Sequence, residues 1–272
     1  MQYIRFIGIF LFITLLSPST FADSLKLGIF PYLSAGKLLK IHNPLASYLS
    51  ENLNSQVNLI SAPGFGQFIQ RTKKQKYDII ITAPHMGALA LLQSNYQRLA
   101  VSSNKSHAVF VSLNKSKFNS FKNIQQASIT LPPEKAIITK LALQTLSEQD
   151  SNINELNIEY TQSHNNALKS VLIGESDVAA FGFPTWNRTS DVDKSRLQVL
   201  GASEGIPGFM IVANASMSQQ KIQKITRLLL NFHHTDKGKA YFKTTRLEPF
   251  RAITEQDIED LKPFVKSIFN FE

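Results

Sequence analysis

Two stretches that lie far apart in the sequence are built in the same way, and this repetition constrains the fold more than any other feature. Lys76–Pro84 (KYDIIITAP) and Glu175–Pro184 (ESDVAAFGFP) each place an Asp before a short apolar run that closes at a proline. Short apolar runs bounded by turn signals are typical of buried strands. The chain is therefore expected to contain two similar units, each with a buried strand that ends in a loop.

Strands and helices are predicted to alternate within both units. In the first, Leu25–Phe30 and Val57–Ile60 have strand patterns, Gly66–Lys74 has a helical one, and Asn43-Pro44 supplies an N-cap and a first-turn proline for a further helix. The second unit repeats the alternation, with strands predicted at 127–131, 156–160 and 177–181. Such alternation indicates parallel strands with crossover helices, which is an α/β architecture.

Two further apolar segments, near 107–113 and 203–213, are predicted to be crossover strands between two lobes. The second crossover leads to C-terminal helices, of which one is capped by Thr254 and broken at Pro263. We therefore predict a two-lobed α/β fold with two hinge strands. The first lobe would comprise 23–106 plus 207–272, and the second 107–206.

The first 22 residues predict an exported protein. Arg5 precedes the apolar segment Phe6–Leu16, and small residues follow up to Ala22, which is the pattern of a cleavable signal peptide. The apolar core is too short to span a bilayer, and the absence of cysteine excludes disulfides, thiolate metal sites and a lipid-anchored cysteine. A soluble periplasmic protein without a lipid anchor is expected.

The net charge of +9 is spread in small groups of lysines, such as Lys73-Lys74-Gln75-Lys76, without a basic tract. This pattern is typical of a solvated surface and does not favour a nucleic-acid partner. No G-x-S-x-G, H-E-x-x-H or P-loop motif is present, so the sequence predicts no enzyme, no metal and no cofactor.

The loops after the buried strands are the expected binding site. In α/β sheets, ligands bind outside the carboxyl ends of the strands, and two facing lobes would bring these ends together at one cleft. Pro84 and His85 directly follow the first repeated strand, so they are predicted to form part of the cleft wall. Asp78 and Asp177 open their strands, where the usual role of Asp is local hydrogen bonding.

The ordered segments of the chain resemble the substrate-binding proteins of phosphate/phosphite/phosphonate ABC transporters, which have the type II periplasmic binding protein fold. The segments that carry this resemblance are GIFPYLS, NPLASYLSENL, YDIIITAPH, SHNNALKSVLIGESDVAA, IPGF and DKGKAYFKTTRLEPF. The resemblance implies that the two lobes close on a small anion, with Tyr32 at the family's first-loop aromatic position. His164, followed by Asn165, matches the histidine of the second lobe.

Two positions depart from the family pattern. Where typical members carry a Ser-Thr-Ser-like loop, this chain has Leu131–Ala136 (LPPEKA), which puts Glu134, Lys135 and Ala136 at the ligand-binding loop. Where many members present a carboxylate, Phe183 is found. The ligand expected from the resemblance is phosphate-, phosphite- or phosphonate-like, with a substrate that has an apolar or zwitterionic part left open.

The function expected from these features is capture of a small, anionic molecule for an ABC-transporter permease. An alternative with the same fold is a sensory binding protein that presents its ligand to a membrane-bound histidine kinase or cyclase. An exported enzyme is a third hypothesis, which the missing motifs disfavour.

Overall fold

The computed structural model describes residues 24–149 and 155–269, and the predicted signal peptide, residues 1–22, lies outside them. The strands of the described residues form two sheets. The first sheet has the order β11-β4-β10-β3-β1-β2. Its strands are β1 (Leu25–Ile29), β2 (Val57–Ser61), β3 (Ile79–Thr82), β4 (Tyr96–Ser102), β10 (Met210–Asn214) and β11 (Phe250–Arg251).

The second sheet has the order β7-β6-β8-β5-β9. Its strands are β5 (Ala108–Leu113), β6 (Ser128–Leu131), β7 (Asn157–Tyr160), β8 (Val178–Gly182) and β9 (Leu197–Ala202). We call the first sheet with its helices the first lobe, and the second sheet with its helices the second lobe. Both sheets are mixed, since parallel strands form one side of each and antiparallel strands the other.

Helices connect and cover both sheets. Those of the first lobe are α1 (Ala35–Leu53), α2 (Phe65–Lys73), α3 (Pro84–Gln93), α8 (Gln219–Asn231), α9 (Asp236–Thr245), α10 (Glu255–Glu259) and α11 (Lys262–Phe269). Those of the second lobe are α4 (Ile137–Glu148), α5 (His164–Leu172), α6 (Phe183–Arg188) and α7 (Asp191–Lys194). The α/β class predicted from the sequence is confirmed, and each sheet contains antiparallel strands in addition to the predicted parallel ones.

The repeated Asp has the same structural role in both lobes. Asp78 precedes β3 and its carboxylate accepts a hydrogen bond from the backbone N–H of Lys26 in β1, at 2.6 Å. Asp177 precedes β8 and accepts one from the N–H of Ser128 in β6, at 2.9 Å. Each carboxylate thus ties the start of its strand to the neighbouring parallel strand. Both residues have a structural role, but their partners are distant in the sequence, so the predicted local hydrogen bonding at a turn is replaced by a bond between strands.

The chain crosses between the sheets at 103–107 and again at 203–209. These two connections pair with each other, because Ser106 and Ile206 exchange two backbone hydrogen bonds of 2.8 and 2.9 Å. Helix α11 adds a third link, since it packs both on α3 of the first lobe and on α4 of the second. The lobes are therefore joined by a paired hinge and by a C-terminal helix.

Helix α1 differs from its predicted form. It begins at Ala35 and runs through Pro44, instead of starting at Pro44 with Asn43 as its N-cap. A proline inside a helix leaves the carbonyl oxygen four residues earlier, that of Lys40, without its N–H donor. Burial of Leu38 and His42 on the same face as Leu45 and Leu49 accompanies this earlier start. Packing on the first sheet has thus overridden the local preference of Pro44 for a first turn.

The C-terminal helices also differ slightly. Thr254 caps α10 as predicted, because its hydroxyl oxygen accepts a hydrogen bond from the N–H of Asp257. The Asp257 carboxylate in turn accepts one from the N–H of Thr254. The break lies at Asp260 and Leu261, and Pro263 falls in the first turn of α11, where a missing N–H costs nothing.

Candidate functional site

A cavity of about 150 Å³ lies between the two lobes. The first lobe contributes the loop after β1 and the start of α3, and the second contributes the loops before α4 and α5 and the start of α6. Each of these loops follows a strand or precedes a helix, as expected for ligand sites in α/β folds. The N-termini of α3, α4 and α5 meet here, and their free N–H groups favour an anion.

The first-lobe wall is organised around a buried histidine. The hydroxyl of Tyr32, which lines the cavity, is 3.0 Å from Nε2 of His42. On the other side of the imidazole, the hydroxyl of Tyr241 is 3.0 Å from Nδ1. His42 and Tyr241 are both fully buried, so a hydrogen-bonded triad runs from the core of the first lobe to the cavity.

Burial governs the ionisation of this triad. It lowers the pKa of His42 to about 4, because the positively charged imidazolium would lose its hydration. It raises the pKa of Tyr32 to about 12, an effect that the nearby guanidinium of Arg188 partly opposes. All three members of the triad are therefore neutral at physiological pH.

His85 lies deeper, at the start of α3. Its side chain is 2% exposed, its ring stacks on that of Phe269 with 5.8 Å between centroids, and burial lowers its pKa to about 3. Neither ring nitrogen has a hydrogen-bond partner among the described residues. Buried polar atoms are rarely left unpaired, so His85 is a candidate for contact with a bound molecule or an ordered water.

The second-lobe wall presents His164 at the start of α5. Ser163 is the N-cap, with its hydroxyl oxygen accepting from the N–H of Asn166 at 3.1 Å. The backbone N–H of Gly182, at the end of β8, donates to His164 Nδ1 at 3.1 Å. Burial, followed by the positive charge of Arg188, lowers the pKa of His164 to about 4, so this imidazole is neutral as well.

Arg188 is the only cationic side chain among the residues described as lining the cavity. It ends α6, its side chain is exposed at the cavity mouth, and partial burial lowers its pKa, while the neighbouring hydroxyl of Tyr32 raises it. No carboxylate in the described chain forms an ion pair with it. The guanidinium is thus available to an anion in the cavity.

Sequence reasoning missed Arg188 and His42. Arg188 could have been found as the cation on the helix that follows the second of the two repeated strands. His42 had no comparable signal, because it precedes Asn43, the N-cap predicted from the sequence.

Six of the nine residues predicted for the site line the cavity, and three do not. The six are Tyr32, Pro84, His85, Ala136, His164 and Asn165. Glu134 and Lys135 are exposed at the tip of the loop before α4, where two prolines turn the chain, and Glu134 lies near Tyr160. Phe183 packs on the ring of His107, at 4.4 Å between centroids, and against the second-lobe core. The structure therefore brings these three side chains to positions outside the cavity lining.

Residues 27–258 match the family described as ABC transporter, phosphonate, periplasmic substrate-binding protein. The chain belongs to this family. Its members are solute-binding transport proteins rather than enzymes, and their place is the periplasm. The family description gives no support to the sensory alternative.

Solved structures share the fold at low sequence identity. PhnD1 from Prochlorococcus marinus, solved in complex with methylphosphonate, is 16% identical with a TM-score of 0.80, over 92% of this chain and 99% of that one. A binding protein component of an ABC phosphonate transporter from Pseudomonas aeruginosa is 17% identical with a TM-score of 0.71, over 91% and 87%. The aliphatic sulphonate binding protein SsuA from Escherichia coli is 12% identical with a TM-score of 0.63, over 91% and 92%.

These likenesses confirm the type II periplasmic binding protein fold. As a family member, the chain has a small-molecule ligand and a permease as its partners. No helix among the described residues is both long and apolar enough to cross a membrane.

Proposed function

We propose that this protein binds a small oxyanion of the phosphonate type in the cavity between its lobes and delivers it to the permease of an ABC transporter. The observation that carries the proposal is the unpaired guanidinium of Arg188 beside Tyr32 and His164, two neutral hydrogen-bonding groups from opposite lobes. An anion held by all three would link the lobes. Methylphosphonate, the molecule bound by the Prochlorococcus structure, is small enough to serve as the first probe.

The mechanism is a shift of population between open and closed arrangements. Contacts from both lobes stabilise the closed form only when the anion is present, and the paired segments at 103–107 and 203–209 absorb the rotation. In this proposal the first lobe comprises 23–106 plus 207–272, and the second comprises 107–206. The signal peptide, residues 1–22, directs export and is then cleaved.

The test is isothermal titration calorimetry of methylphosphonate against the protein purified from the periplasm. Arg188→Gln removes a charge-assisted hydrogen bond and is expected to weaken binding by about tenfold to a hundredfold. The matched control is Arg227→Gln, which makes the same charge change at an exposed position of α8 outside the cavity lining. If Arg188→Gln and Arg227→Gln both bind like the unmodified protein, the guanidinium does not hold the ligand.

A further inference from the structure

The cavity lining contains no carboxylate among the residues that the structure describes. Its charged group is Arg188, and the rest of its polar side chains are neutral amides, hydroxyls and imidazoles. A carboxylate is the strongest neutral-pH acceptor that a protein offers to an acidic proton on a ligand. The directions in which the two walls donate hydrogen bonds therefore decide which form of an oxyanion fits.

His164, which lines the cavity, is fixed as a donor at Nε2. Its Nδ1 accepts from the backbone N–H of Gly182, so in the neutral ring the proton resides on Nε2. The pKa of His164 is lowered to about 4, and the neutral form with this tautomer dominates above that pH.

Tyr32 is fixed as a donor by a longer route. Tyr241 is fully buried, and its hydroxyl has no acceptor other than His42 Nδ1 among the described residues. Its O–H therefore donates to Nδ1, which leaves the proton of the neutral His42 ring on Nε2. That N–H donates to the hydroxyl oxygen of Tyr32 at 3.0 Å, and the proton of Tyr32 remains free for a molecule in the cavity.

The side-chain acceptors in the lining are all uncharged and are therefore weaker than a carboxylate. Gln162 and Asn165 offer neutral amide oxygens, and Ser106, Ser163 and Thr185 offer neutral hydroxyl oxygens. His85 keeps one unprotonated ring nitrogen, which is buried and is likewise a neutral acceptor. An acidic P–O–H group would thus face the donors of Tyr32, His164 and Arg188 without a strong acceptor of its own.

We propose that this site selects oxyanions that carry no acidic proton, so that it takes alkylsulfonates and the fully ionised form of alkylphosphonates, and discriminates against the hydrogen-phosphonate monoanion. The inference rests on the proposed function, because it assigns the chemical class of ligand to that same cavity. The fixed donors of the two walls match an oxyanion whose three oxygens all accept hydrogen bonds. A protonated oxygen would point its own O–H at one of these donors, so that neither of the two protons had an acceptor.

The ionisable side chains that line the cavity or contact Tyr32 do not titrate between about pH 5 and about pH 9. The pKa values of His42, His85 and His164 are about 4, about 3 and about 4, that of Tyr32 is about 12, and Arg188 remains charged. His107, beside the hinge, lies outside the cavity lining, and burial lowers its pKa. A pH dependence that is seen with methylphosphonate and not with methanesulfonate therefore reports the ionisation of the ligand.

The deciding experiment is calorimetry with methanesulfonate and methylphosphonate at about pH 5 and about pH 9, which bracket the second ionisation of a phosphonic acid. Buffers must contain neither phosphate nor sulfonates. At the lower pH the two ligands have the same charge and similar shape and differ by one O–H, so methanesulfonate is expected to bind about tenfold more tightly. The affinity for methylphosphonate should rise about tenfold when the pH is raised, while the affinity for methanesulfonate should not change.

A gain-of-acceptor variant provides the second readout. Asn165→Asp adds a carboxylate to the lining and is expected to strengthen binding of the hydrogen-phosphonate at about pH 5 and to weaken that of methanesulfonate. The control is Asn166→Asp, which adds the same charge one residue along α5, outside the lining.

Equal affinity for the two ligands at the lower pH, or failure of methanesulfonate to bind while methylphosphonate does, would overturn the selection and leave the proposed function intact. Failure of both ligands to bind at either pH would overturn both.

Discussion

The two walls of the cavity present similar groups but are held in place differently. On the first lobe, Tyr32 is positioned by His42 and Tyr241, two fully buried side chains that belong to the core. On the second, His164 is positioned by one backbone hydrogen bond from Gly182, and the guanidinium of Arg188 forms no ion pair with a carboxylate of the described residues. The first wall is therefore part of what stabilises its lobe, whereas the second supplies charge at small structural cost.

This contrast separates stability from binding. A polar group buried in the core destabilises the fold when its partner is removed, because the remaining group can reach no water. A polar group at a cavity mouth remains hydrated when its partner is removed. Substitutions in the first wall should thus affect both folding and binding, and those in the second mainly binding.

The largest expected effect is acid destabilisation. The folded-state pKa values of His42, His85 and His164 lie below the unfolded value of 6.5, so the unfolded state binds protons first as the pH falls. The contribution of these neutral histidines to the free energy of unfolding is fully present above pH 6.5. It is lost as the pH falls toward about 4, by up to about 1.4 kcal/mol per pH unit for each histidine. Urea denaturation at a series of pH values measures it, and a flat profile over this range would contradict buried neutral imidazoles.

His42→Ala is expected to lower the free energy of unfolding by about 3 kcal/mol, since it leaves a cavity and two unpaired tyrosine hydroxyls. It should also weaken methylphosphonate binding, because Tyr32 loses its support. His234→Ala, at an exposed position after α8, is the control and should stay within about 0.5 kcal/mol. If His42→Ala and His234→Ala lowered the free energy of unfolding by the same amount, the structural role of the triad would be contradicted.

Tyr241→Phe is expected to lower the free energy of unfolding by about 2 kcal/mol, because Nδ1 of His42 is then buried without a hydrogen-bond donor. The substitution keeps the ring and its packing, so the loss isolates the hydrogen bond. Tyr160→Phe removes a hydroxyl from a tyrosine that is 46% exposed and is expected to change little. Thermal or urea unfolding of the pair gives the comparison, and equal stabilities would show that the hydroxyl of Tyr241 contributes nothing.

His164→Ala is expected to have the smallest effect on stability, about 1 kcal/mol, because the freed N–H of Gly182 is next to a cavity that admits water. Binding of methylphosphonate should nevertheless fall by about tenfold, since a donor to the anion is lost. Unfolding and calorimetry on the same preparation check both values. If His164→Ala destabilised the fold as much as His42→Ala, the contrast between the two walls would fail.

Several features of the fold were predictable because they depend on local patterns. The apolar runs before Pro84 and Pro184 form buried strands in both lobes, as predicted. The Asp before each strand hydrogen-bonds the neighbouring parallel strand, a longer-range contact than the local one predicted. Strands β4 and β9 were not predicted. Both lie next to the crossovers and pair antiparallel with strands from distant parts of the chain, so their partners are not visible in the local sequence.

The site was predictable only where it follows strand ends. Tyr32, Pro84 and His164 lie in or directly after strand-to-helix loops, which the alternation of elements places at one cleft. Glu134, Lys135 and Phe183 occupy equivalent positions after strands but lie outside the lining. Sequence position fixes the loop to which a residue belongs, but not the direction in which its side chain extends.

The sequence by itself determined the family, the two-unit α/β plan and the loops that surround the cavity, because these follow from short-range periodicity and from ordered motifs. Only the tertiary structure decided that α1 continues through Pro44, that His42 joins Tyr32 to Tyr241, and that Arg188 lies unpaired beside them. The physical reason is that these features depend on contacts between residues up to 199 positions apart. Burial among distant partners sets the protonation and the hydrogen-bond direction of each group, and no local pattern encodes it.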